Sequence, residues 1–231
     1  MKLLRHHLER LRNVRRSEHH PLIYTIHKKH KVAKRTLFYI KEYGPHSHVA
    51  RTILKESIAI ILLTSIISAF GGLMLERIKL LFIQIVPLII MLPTLNAMIG
   101  DYGIIVSSRF STMLHEGKAK KDIWSTKELR VLFAQMIVVA FVTAIISTTL
   151  SLLVAKGIYH VGDFLTSIKM IFIIIIDVVL LMVLLFATSV IAGCYFYYKR
   201  EDPNNFLIPI STAIADFGNM ALLSFLIIIF F

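Results

Sequence analysis

"NNFLIPISTAIADFGNMALLSFLIIIFF" occupies residues 204–231. It is long and apolar enough to cross a bilayer as a helix, for which about 20 residues suffice. Yet Asp216 sits in its first half. A carboxylate near the bilayer centre costs about 2.5–3.5 kcal/mol on insertion scales, so an acid kept there points to a partner or a task. Asn205, Pro209, Thr212, Asp216 and Asn219 follow one another at steps of 4, 3, 4 and 3 residues, which is one face of a helix. Ser211, Ala215 and Gly218 line the neighbouring face, where small side chains let another helix come close. The remaining faces are Leu, Ile and Phe, as lipid requires.

Four further blocks reach spanning length: Ser57–Met74, Lys79–Ser108, Val131–Ala155 and Phe164–Tyr197, with Phe206–Phe231 as the fifth. Pro87, Pro93, Gly100, Asp101 and Gly103 interrupt the second. No stretch alternates as a strand does. With 231 residues, 56% hydrophobic and mean hydropathy +0.72, the chain exceeds the roughly 45–50% apolar content of soluble domains. The expected fold is all-α: an integral membrane bundle of five transmembrane helices (51–231) behind a short basic segment (1–50).

That segment holds 12 Lys and Arg against 3 Asp and Glu. Basic residues also gather between the second and third blocks (Arg109, Lys118, Lys120, Lys121, Lys127, Arg130) and between the fourth and fifth (Lys199, Arg200). The other two connections are poorer. Five spans put all three basic segments on one side, so the N-terminus is expected in the cytoplasm and the C-terminus outside, in a multi-pass protein of the cell membrane. Leu4, Leu8, Leu11 and Val14 give the head one apolar helical face, suited to rest on anionic lipid. Nucleic acid is not an expected partner, and the head's eight histidines lack a metal-ligand spacing. The single cysteine, Cys194, excludes a disulfide within the chain. No secretory signal is expected, because the first apolar block begins only after Glu56.

On the second block, Pro93, Asn96, Gly100, Gly103 and Ser107 repeat the 3-4-3-4 stepping, with Asp101 about 100° round from Gly100. Asp216 lies about 15 Å from the cytoplasmic start of its span, and Asp101 about 12 Å from Arg109 at the cytoplasmic end of its own. Similar depths allow one shared site. Carboxylate, amide and hydroxyl oxygens are ligands for hard divalent cations, and Mg²⁺ sheds its water reluctantly. A few carboxylates along a watery route therefore suffice. Asp216, Asp101, Asn96, Thr212, Asn205 and Asn219 are the expected cation-lining residues. Asp177, in "FIIIIDVVLL", has no polar companion at helical spacing except the distant Lys169 and is read as structural. Glu56 is placed at the membrane interface.

"PLIIMLPTLNAMIGDYGIIVSSRFSTMLHEGK" resembles the second-helix signature of MgtE-type divalent cation transporters, in their short single-repeat form. The matching residues are Pro87, Pro93, Gly100-Asp101, Ser108-Arg109-Phe110-Ser111 and Leu114-His115 before Gly117. "REDPNNFLIPISTAIADFGNM" resembles the family's last-helix signature through Asp202-Pro203, Pro209, Thr212 and Asp216, and "KESIAIILLTSIISAFGGLMLE" looks like the first helix. The resemblance spans about Leu54 to Phe231. It implies a homodimer of five-helix units, with a pathway at the two-fold axis lined by the second and fifth helices and Asp216 as the central ion-binding residue. Two departures stand out: the usual Gly-Asn pair is Gly100-Asp101, and residues 1–50 are too short to replace the family's large sensor domains.

The expected function is transport of a divalent cation, Mg²⁺ foremost, with no organic cofactor. Two alternatives remain open: a proton-coupled exporter in which Asp177 and Asp101 titrate, and a non-transporting scaffold whose head binds lipid or a partner. An enzyme is not expected, since no nucleophile and base pair stands out in the spans.

Overall fold

The computed structural model describes residues 21–30, 49–118, 126–160, 163–199 and 201–231. The helix expected over Leu4–Val14 and the side chain of Glu56 lie outside the described residues, as do Arg200 and residues 119–125, which include Lys120 and Lys121. The described elements are α1 (Pro21–His30), α2 (Val49–Arg77), α3 (Lys79–Gln84), α4 (Val86–His115), α5 (Lys127–Tyr159), α6 (Phe164–Lys199) and α7 (Pro203–Phe230). All are helices. Five of them, α2 and α4 to α7, are long and apolar enough to cross a membrane.

The second apolar block is not one helix. The chain breaks at Ile85 (φ −106°, ψ 76°), leaving α3 as a short piece before α4. A continuous helix would drive the Pro87 ring against the carbonyl four residues earlier and waste a hydrogen bond. Placed in the first turn of α4, the same proline costs nothing, because amide hydrogens there have no partner within the helix. At its other end α4 runs past Ser108 to His115. It stops where Gly117 takes a left-handed φ of 71°, with the Gly117 amide donating to Leu114 O (3.1 Å) and the Lys118 amide to Met113 O (3.0 Å). The start of α7 follows its local chemistry too. The Asp202 carboxylate accepts a hydrogen bond from the Asn204 amide (3.0 Å), and Pro203 fills the first turn.

Helices α4, α6 and α7 pack mutually, α5 covers α4 and α6, and α2 leans chiefly on α7. The shared interior draws Met91, Leu95, Ile99 and Val106 from α4, Ile174, Leu181 and Leu185 from α6, and Leu223 and Ile227 from α7. Outward faces stay apolar, with Leu62, Ile66 and Phe70 of α2 exposed among others. That is the arrangement lipid stabilises and water would not.

Candidate functional site

The seam between α4 and α7 is built on small residues. A Cβ placed on Gly103 would lie 2.7 Å from Ser211 Cβ, so the two backbones approach as closely as they can. Within that contact Ser107 Oγ meets Ser211 Oγ at 3.0 Å and Ser189 Oγ of α6 at 3.1 Å, a buried hydroxyl cluster joining three helices. Higher in the seam, Asn219 Nδ2 donates to Asn96 Oδ1. On the α6 side, a Cβ on Gly218 would come within 2.8 Å of Leu181 Cδ2. The small face of Ser211, Ala215 and Gly218 is therefore occupied inside the chain, by α4 and α6.

The polar stripe of α7 divides between two surroundings. Asn219 is fully buried against Asn96. Asp216 and Asn205 are half-buried, and Thr212 is exposed. On α4, Asn96 is half-buried and Asp101 exposed. The contacts of Asn96 with Asn219 and of Ser107 with Ser211 set an antiparallel register. That register puts Asp101 level with Ala215, so Asp101 and Asp216 lie at nearly one depth. They face different ways. Asp101 is about 160° round α4 from Gly103, on the side turned from α7. Neither carboxylate has a hydrogen bond or ion pair among the described residues, and α7 carries no basic side chain.

Behind Asp216 lies α2. A Cβ on Gly71 would come within 3.1 Å of Phe217 Cα, 3.2 Å of Met220 Sδ and 3.3 Å of the Asp216 carbonyl oxygen. This support was not apparent in the sequence, although the Gly71-Gly72 pair in an apolar run was a signal for it. Ser189 was missed for a similar reason: one hydroxyl on a long apolar helix looks incidental until Ser107 and Ser211 meet it. Asp177 of α6 is 0% exposed, and both its carboxylate oxygens lack a hydrogen-bond partner.

Where α4 ends and α5 begins, a crevice of about 1440 Å³ opens, lined in part by Ser108, Arg109, Thr112, Glu128 and Gln135. Lys118 at its rim pairs with Glu116 at 2.6 Å. That hydrogen bond, with the attraction of the same carboxylate, holds the lysine above its usual range. Among the described residues no group of three or more His, Cys, Asp or Glu converges.

Neither the curated proteins nor the solved structures contain a match to the chain. The MgtE family profile, described as divalent cation transporter, matches residues 92–226, more than half of the sequence. That stretch takes in Asn96, Asp101, Asn205, Thr212, Asp216 and Asn219 as well as the seam that sets their register, and the chain belongs to the MgtE family of divalent cation transporters.

Proposed function

We propose that this protein lets Mg²⁺ cross the membrane along the face of α7 that carries Asp216, Thr212 and Asn205, with a second copy closing that face to form the pathway. The carrying observation is Asp216: a half-buried carboxylate at mid-helix with no cationic or hydrogen-bonding partner among the described residues. Such a group is costly against lipid and useful beside a cation. Asp101, at nearly the same depth but exposed on the other side of α4, adds negative charge at that level. Asn96 and Asn219 bind each other and hold the two helices in register. With the N-terminus in the cytoplasm, a negative interior favours entry of a double charge by about 4.6 kcal/mol per 100 mV, so no further energy source is required.

Uptake into liposomes tests this, with Mg²⁺, Mn²⁺, Co²⁺ and Ca²⁺ compared under an imposed potential. Wild-type protein is expected to carry Mg²⁺. Asp216→Ala is expected to lower that flux about 100-fold, as loss of a charged ligand worth about 3 kcal/mol implies. Asp101→Asn changes the ranking of the ions more than the rate. Undiminished Mg²⁺ flux in Asp216→Ala refutes the assignment.

A further inference from the structure

Asp177 stands at mid-length of α6, fully buried, with neither oxygen hydrogen-bonded. The neighbours can be placed by register. Lys169 Nζ donates to Phe230 O (2.9 Å) and Leu181 lies against Gly218, so α6 and α7 run antiparallel with Asp177 near the level of Leu222. Ser107 opposite Ser189, and Phe110 against Gly193, set the parallel register of α4, which brings Leu95 to that level. Phe133 against Phe186 sets an antiparallel register for α5 and brings its apolar middle, near Val142, to that level.

None of these helices places a cation at that level. Between Arg130 and Lys156, α5 has no titratable side chain at all. On α4 the titratable groups nearest that level are Asp101, exposed, and Tyr102, whose hydroxyl is bonded to Thr143; Arg109 and His115 lie 14 and 20 residues past Leu95, about 21 Å or more along the helix. On α7 the titratable side chain is Asp216, about 9 Å along the helix from Leu222. On α6 itself Lys169 is about 12 Å away along the axis, already bonded to the Phe230 carbonyl.

An ionised carboxylate sealed in apolar surroundings without a partner costs several kcal/mol, and such a group takes up a proton instead. We propose that Asp177 is a proton-binding site, filled while α6 and α7 are in contact and emptied into water when they separate. The bond broken on emptying is the carboxyl O–H; the proton goes to water and the carboxylate remains. Leu181 of α6 packs so closely on Gly218 that a Cβ there would come within 2.8 Å of Leu181 Cδ2, so parting this seam moves α7 against α6. The same helix carries Asp216, and this half of the inference rests on the reading of α7 as pathway-lining. Two ligands that favour different positions of one helix are reciprocally linked. Protons favour the closed seam, and raising the pH favours the parted one and with it cation flux.

Infrared spectra of the full-length protein in liposomes at neutral pH, wild type minus Asp177→Asn, test the site. The expected difference is the carbonyl band of a protonated carboxylic acid, present in wild type and lost in the variant; its absence overturns the proposal. Mg²⁺ uptake against pH tests the linkage. Wild-type flux should climb with pH, by at most about tenfold per unit, the ceiling for one proton. Asp177→Asn, which mimics the protonated shape, should be flat over the same range. Equal slopes in the two proteins overturn the linkage. Should Asp177→Asn not fold, Asp177→Leu replaces it in both measurements. A protein that moves no Mg²⁺ but shows the band refutes the transport reading and leaves the proton site standing; flux without the band does the opposite.

Discussion

Two carboxylates stand midway along adjacent helices, Asp177 on α6 and Asp216 on α7, and they share one side-chain chemistry. Their settings differ. Asp177 belongs to the most enclosed helix, half of whose most apolar window is buried (50%), and neither of its oxygens has a hydrogen-bond partner among the described residues. Asp216 belongs to the stripe where α7 is incompletely covered, with α2 behind it and α4 to one side. The environment decides what each acid does: one is suited to hold a proton, the other to meet an ion that brings its own water. Position along a helix does not predict that. Position around it does.

The sharpest way to break the contrast is to force the closed seam open. Gly103→Val puts a branched side chain where even a Cβ comes within 2.7 Å of Ser211 Cβ, an atom fixed directly to the α7 backbone. Overpacking of this kind costs about 1–3 kcal/mol or more, and loss of the Ser107 cluster adds to it. The expected result is a marked fall in the melting temperature of the purified protein in detergent, together with loss of flux. An unchanged melting curve contradicts the close approach.

A subtler change moves the open region and leaves the closed one alone. Gly71→Ala presses on the Phe217 backbone and the Asp216 carbonyl, whereas Gly72→Ala meets nothing within 4 Å. Mg²⁺ uptake should drop severalfold in the first and stay at the wild-type level in the second, with both melting as the parent does within about 1 kcal/mol. Equal flux in the two would mean that α2 does not position Asp216.

The smallest effect is expected from Asn96→Ala. It removes the bond from Asn219, and interhelical hydrogen bonds in membranes average about 0.6 kcal/mol, so melting should shift only slightly. A large loss would show that the pair does more than hold register.

Much of this was legible in the sequence because it depends on one helix at a time. Hydropathy located five spans, Asp202-Pro203 marked the start of α7, and the 4-3-4-3 steps revealed its polar stripe. Periodicity tells which residues share a face and is silent on what that face meets. Ser107, Gly103 and Asn96 formed as convincing a stripe as Thr212 and Asp216, yet they meet α7 instead of an open surface. The small face of α7, which would equally suit a second copy, is taken by α4 and α6. The isolation of Asp177 depends on three other helices, so no pattern within α6 announced it. The break at Ile85 was visible in Pro87, but the apolar composition on both sides concealed it.

Because α2 rests chiefly on α7, the earliest described span is matched with the latest. Gly71 and Phe217 are separated by most of the chain, and at about 5–20 residues per second roughly 7–30 s of synthesis pass between them. Throughout that interval α2 must survive in the bilayer as a lone helix, which its almost unbroken coat of Leu, Ile and Phe permits. The contact of α2 with α7, and with it the support behind Asp216, thereby waits until α7 has been made.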